Sequence, residues 1–215
     1  MRYVALGDSI TAFRDGVQVY FELLQDDLQG GTFAMMVNSG VGGWHTSNLS
    51  ALLQEKCLQF RPHMVSCMLG TNDHAIYKGK SEPAVPLALY ESNLREIVQR
   101  IRQTEHGDSW NGGKPFVILM TPPYIATYTN RGGTDCNRER LEHYVAVVKR
   151  LAAELGTGLV DVYSITGDAA EWDDERFTTQ FTAQLDGCHL NSQGQKLIYK
   201  RLVEELRCRL SMENG

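Results

Sequence analysis

Apolar and polar positions alternate between two regimes along this chain. Nearly unbroken apolar runs stand at Tyr3 to Leu6, Phe33 to Val37, Met64 to Leu69, Phe116 to Met120 and Leu159 to Val162. Runs of this length and composition read as strands buried on both faces. Between them, apolar residues return at helical spacing. Val17, Tyr20, Leu24 and Leu28 share one face, as do Leu49, Leu52, Leu53, Cys57 and Phe60. Tyr90, Leu94, Ile97, Val98 and Ile101 mark a longer helix, and Leu141, Tyr144, Val145, Val148, Leu151 and Leu155 another. Leu197, Ile198, Leu202, Val203 and Leu206 predict the last. Pro86 suits a helix start and Gly156 a helix end. Pro122-Pro123 stops the fourth strand, and Ser192 with Gln195 reads as a capping box.

Strands in turn with helices predict an α/β protein, with a five-stranded parallel sheet covered on both faces. The whole chain, 1–215, reads as one domain. Right-handed crossovers carry the C-terminal ends of parallel strands to one edge, where ligands bind in such sheets. Ser9 follows the first strand, Gly40 to Gly43 the second and Gly70 to Asp73 the third. These segments are therefore expected to meet. Two longer stretches, Tyr124 to Asn137 and Tyr163 to Leu185, read as irregular loops that shape a substrate site on the same edge.

Composition narrows the function classes. The 215 residues are 42% hydrophobic and 22% charged, ordinary for a chain with a substantial core. A net charge of −5 and the lack of a basic block argue against a nucleic-acid partner. No run of 18 apolar residues exists, so no membrane partner is expected. Cysteines at 57, 67, 136, 188 and 208 make an odd count without C-x-x-C spacing. That pattern favours reduced thiols over disulfides or a zinc site. With a strand starting almost at Met1, it predicts a cytoplasmic protein without a signal peptide. The histidines form no H-E-x-x-H, and Glu171, Asp173, Asp174 and Glu175 read as a solvated loop, so no metal or other cofactor is expected. Nothing in the sequence specifies an oligomeric state.

The candidate chemistry is acyl transfer. A serine becomes a nucleophile when a base takes its proton and an acid holds that base in one tautomer. Ser9, in a turn beginning at Gly7, fits the nucleophile, His189 the base and Asp186 the orienting acid. Donors for the developing oxyanion would be the N–H of Ser9, the N–H of Gly43 and the side-chain amide of Asn72. Asp161, at the end of the fifth strand, competes with Asp186 but lacks the D-x-x-H spacing. Trp44, His45 and His74 flank the expected donor loops and are candidates for lining a substrate pocket, with ordinary packing the alternative. Cys188 reads as a packing residue.

Taken together, Gly7-Asp8-Ser9-Ile10, Asn38 through Gly43, Gly70-Thr71-Asn72-Asp73 and Asp186-Gly187-Cys188-His189 resemble the four blocks of the SGNH hydrolases, or GDSL-type esterases and lipases. Ile10 replaces the leucine of the first block. The resemblance places the donor glycine at Gly43, with Gly42 the runner-up. It implies a flavodoxin-like three-layer α/β/α sandwich and cleavage of a small-molecule ester through an acyl-serine, without metal or organic cofactor. An O-acetyl group on a carbohydrate is the first expected substrate. A non-catalytic binding protein of the same fold is the alternative. Rival motifs fail on spacing. Thr11 stands where a G-x-S-x-G elbow needs glycine, and His45 where a dinucleotide fingerprint needs its third.

Overall fold

The computed structural model describes residues 1–127 and 133–212. Its strands are β1 (Arg2–Gly7), β2 (Met35–Gly40), β3 (Met64–Met68), β4 (Phe116–Met120) and β5 (Gly158–Val160). The helices are α1 (Tyr20–Leu28), α2 (Thr46–Lys56), α3 (Leu87–Gln103), α4 (Arg138–Leu155), α5 (Val162–Ala169), the one-turn α6 (Asp174–Arg176) and α7 (Ser192–Met212). All strand pairs are parallel, and the order across the sheet is β2-β1-β3-β4-β5.

Strand periodicity splits the core in two, because successive side chains point to opposite faces. Tyr3 and Ala5 of β1 pack with Phe21 and Leu24 of α1 and with Ile198 and Leu202 of α7. Val4 and Leu6 pack with Leu49 of α2, Leu94 and Ile97 of α3 and Leu151 of α4. The result is the three-layer α/β/α sandwich. The chain leaves β1 toward β2 on one side and continues through β3 on the other. That reversal opens a crevice beyond the ends of β1 and β3, the usual ligand position in such sheets.

Local departures from the pattern have physical causes. Phe33 lies outside β2 and is fully buried, its ring 5.5 Å from that of Tyr3. Helix α1 begins only at Tyr20, because Val17 is held in a bridge with Arg14. Leu58 to Phe60 form a separate 3₁₀ turn after α2. Part of the stretch from Tyr163 to Leu185 is helical, not irregular. Asp161 caps α5 by accepting from Ser164 N at 3.3 Å. The inner face of α5 includes Thr166 and Gly167, which carry little hydrophobic signal. The expected capping box at Ser192 is also corrected. Asn191 accepts from the amides of Gln193 and Gly194 at 2.9 and 3.1 Å, while Ser192 accepts from Gln18 N. Among the described residues no helix is long and apolar enough to cross a membrane. None of the five cysteines is paired with another.

Candidate active site

The turn after β1 is built by its own residues. Asp8 O accepts from Thr11 N and Ala12 N at 3.1 and 3.0 Å, and its carboxylate accepts from Ile10 N at 2.9 Å. These bonds lift Ser9 to the sheet edge. Asn38 of β2 ties the turn down, donating to Thr11 O at 2.7 Å and accepting from Gly40 N at 2.9 Å. Gly40 permits the contact, since a Cβ there would sit 2.4 Å from Ala12 N. Gln195 of α7 completes the clamp. It donates to Ile10 O at 2.9 Å and accepts from Tyr20 N at 3.0 Å, fully buried. Sequence reading assigned Gln195 to a cap and missed this role.

From the other end of the chain, α7 and the loop before it bring His189 to Ser9. The Ser9 Oγ and His189 Nε2 are 3.0 Å apart, and His189 Nδ1 lies 2.5 Å from Asp186 Oδ2. The second Asp186 oxygen accepts from Cys188 N and His189 N at 2.9 and 2.8 Å. Burial alone would raise the Asp186 carboxyl, but the imidazole bond and the two amides outweigh it and hold it below the ordinary carboxylate value. An ionised Asp186 accepts a hydrogen bond from Nδ1–H and so keeps the proton on Nδ1, leaving the Nε2 lone pair for the serine hydroxyl. Gln184 and Leu185, just before the acid, both adopt left-handed backbone (φ 57° and 53°). Asp161, the competing acid, is engaged elsewhere. It pairs with Lys149 at 2.6 Å and accepts from Ser164 Oγ at 2.6 Å. Cys188 is fully buried.

The residues expected as donors lie in the segments that follow β2 and β3. Gly43 has φ +79° in the turn leading into α2, and a Cβ on Gly42 would lie 4.0 Å from Ser9 Cβ. Asn72 is buried and donates through Nδ2 to Trp44 O at 2.9 Å, which orients the amide beside the glycine turn. Asp73 locks the two blocks together. Its Oδ1 accepts from Thr46 N at 2.9 Å and from Thr46 Oγ1 at 2.6 Å, and Asn93 donates to Thr46 Oγ1 at 3.0 Å. The Asp73–Thr46–Asn93 chain is a second feature that spacing alone could not reveal.

Burial pushes the Asp73 carboxyl up to about 7, and Oδ2 has no hydrogen-bond partner among the described residues. The folded protein therefore keeps a proton that the unfolded chain loses near pH 4. By linkage, stability falls as pH rises from about 4 to about 7, on the order of a few kcal/mol. Asp73→Asn keeps the acceptor for Thr46 and removes the titration. Urea midpoints of the variant are expected to vary less with pH over that window than those of the parent; parallel curves would refute the assignment.

The flanking candidates separate. His74 is fully buried, with Nδ1 3.1 Å from Gly70 O and its ring edge-on to Tyr144, so it packs in the core instead of lining an open surface. Trp44 is half-buried beside Lys56. His45 borders a hollow of about 450 Å³ formed with Tyr77, Lys80 and Pro83. Burial lowers its imidazole proton affinity. A second hollow, of about 370 Å³, borders Asp186 and His189. The acidic loop is only partly solvated: Asp174 pairs with Arg138 and Tyr124, and Glu171 with Arg176 at 2.5 Å.

Residues 5–197 match the model of the GDSL-like lipase/acylhydrolase family. The chain belongs to that family. The family and its named relatives make this GDSL-family protein a carboxylic ester hydrolase. The isoamyl acetate-hydrolyzing esterase 1 homolog of Mus musculus is 25% identical over 98% of the chain and 83% of the relative. The acetylxylan esterase of Geobacillus stearothermophilus is 26% identical over 80% of the chain and 71% of the relative. The solved structure of that esterase superposes with a TM-score of 0.70 at 24% identity, covering 95% of this chain and 93% of that one. The lipase/acylhydrolase of Enterococcus faecalis gives 0.72 at 22%, covering 97% and 96%. The GDSL fold is thus shared across nearly the full length of each.

Proposed function

We propose that the protein is a serine esterase that hydrolyses a small carboxylic ester through an acyl-serine, an O-acetyl group on a carbohydrate being the first candidate. The observation that carries this reading is the unbroken relay from Ser9 Oγ through His189 to Asp186, at 3.0 and 2.5 Å. Ser9 attacks the ester carbonyl as His189 Nε2 takes its proton. The carbonyl oxygen gains the negative charge, and the N–H groups of Ser9 and Gly43 and the Asn72 amide stabilise it. His189 then returns the proton to the departing alcohol, and the acyl group stays on Ser9. Water, deprotonated by the same imidazole, releases the acid.

The two named relatives support an acetyl ester, since one is named for isoamyl acetate and the other for acetylated xylan. The cysteines, unpaired with one another, support a reducing, cytoplasmic setting. The test is labelling of the intact protein with a fluorophosphonate, followed by peptide mapping. The expected result is a single adduct on Ser9 that disappears in His189→Ala. No adduct on a folded protein, with a small probe as well as a large one, would return the chain to a binding role.

A further inference from the structure

The hollow beside the triad has a chemistry of its own. Arg14 and Val17 of the loop after the nucleophile turn form one wall, and Ala183 and Gln184 form the other. His189 and Asp186 close it on the catalytic side. Arg14 is tied in place by a hydrogen bond from its guanidinium to Leu190 O, one residue past the base. No other described group accepts from it, and Nε is buried without a partner among the described residues. A guanidinium carries five N–H donors; with Nε–H buried and another on Leu190 O, the remaining terminal N–H groups have no acceptor among the described residues where Arg14 lines the hollow.

The reaction geometry says which half of an ester comes here. In the tetrahedral intermediate the oxyanion faces Gly43 and Asn72, while His189 Nε2–H must reach the leaving oxygen. The bond between acyl carbon and that oxygen breaks, its electron pair goes to the oxygen, and the His189 proton joins it. Whatever is attached to the leaving oxygen extends past the imidazole, and the hollow begins at the imidazole. We infer that this hollow seats the alcohol half of the ester and that Arg14 selects a neutral, polyhydroxylated alcohol of about one sugar ring. The assignment rests on the acyl-serine reading above.

Three properties of the walls support that choice. An alkyl alcohol would cover the Arg14 donors without offering an acceptor, which costs about 1–3 kcal/mol for each buried group left unpaired. An anionic alcohol would meet two carboxylates, Asp15 and Asp186, against the single cation Arg14. A hydroxylated ring avoids both penalties: each hydroxyl accepts from Arg14 or donates to Asp15 and Gln184, and Val17 and Ala183 cover the C–H faces. At about 370 Å³ the hollow lies near the lower end of ligand pockets, roughly 300–1,000 Å³. That volume suits one ring and not a long chain.

The experiment compares kcat/KM for a mono-O-acetylated methyl glycoside, cyclohexyl acetate and methyl acetate. All three give the same acetyl-enzyme, so differences among them report the alcohol alone. Arg14→Gln is expected to lower the glycoside-to-cyclohexyl ratio about tenfold or more, with Arg14→Lys recovering part of the loss. Ala183→Trp, which fills the hollow while leaving Arg14 in place, is expected to lower glycoside relative to methyl acetate by a similar factor. Added methyl glycoside should also capture acetyl groups from the parent acetyl-enzyme more efficiently than from either variant. Equal losses on all three esters would make Arg14 a structural support and overturn the inference. Unmoved ratios in both variants would do the same, while Ser9-dependent hydrolysis of methyl acetate would leave the acyl-serine reading standing. If no ester is hydrolysed and Ser9 takes no fluorophosphonate, both readings fall together.

Discussion

Ser9→Ala is expected to lower kcat for a short-chain acetate by about a million-fold while leaving the fold intact. The size follows from what the hydroxyl does. Without it no covalent acyl-enzyme forms, and His189 has no nucleophile to deprotonate except a water not held at the carbonyl. What survives is stabilisation by the proposed Gly43 and Asn72 donors, worth about 10³–10⁴ over water in comparable sites. Folding should not suffer, because the turn is held by Asp8, Asn38 and Gln195, and among the described residues the Ser9 side chain bonds only to His189. Adding His189→Ala should cost little more, since residues acting as a unit are not additive. Activity of the Ser9→Ala variant within a hundredfold of the parent would remove the acyl-serine mechanism.

Asp186→Asn is expected to cost about 10⁴-fold in kcat, through the tautomer of its neighbour. The backbone amides of Cys188 and His189 already hold one carboxylate oxygen. They would retain the amide oxygen of asparagine and turn its NH2 toward His189 Nδ1. The imidazole must then accept at Nδ1 and carry its proton on Nε2, where it can no longer take one from Ser9. The pH behaviour of the parent follows from the same bonds. The Asp186 carboxyl is held below its ordinary value, so its stabilising contribution is present above the unfolded carboxylate value and lost as pH falls through the lower native value. Activity lost on acidification above that range is therefore expected to be reversible, because the Asp186 contribution to the fold is still intact there. Irreversible loss there would contradict that assignment. Near-native kcat in Asp186→Asn would show that Asp186 does not set the tautomer.

Legibility differed from element to element. β4 and the capped end of α4 matched the pattern because apolar periodicity and a glycine stop are local signals. The start of α1 did not, since Val17 pairs with Arg14 instead of turning into the helix. α5 was invisible because its inner face includes Thr166 and Gly167. His74 stands next to a donor block yet belongs to the core, against Tyr144. Adjacency in sequence says nothing about which way a side chain points once a loop has folded.

By itself the sequence determined the alternation of strands and helices, the parallel sheet and the four short blocks that meet on one edge. Hydrophobic period and the alternation of elements decide those, and both are written along the chain. Only the tertiary structure decided how the blocks hold one another. Gln195 bonds Ile10 across 185 residues, Asp73 bonds Thr46 across 27, and Arg14 reaches Leu190 across 176. Such bonds depend on distances set by packing α7 and α2 against the sheet. No spacing rule along the chain encodes them.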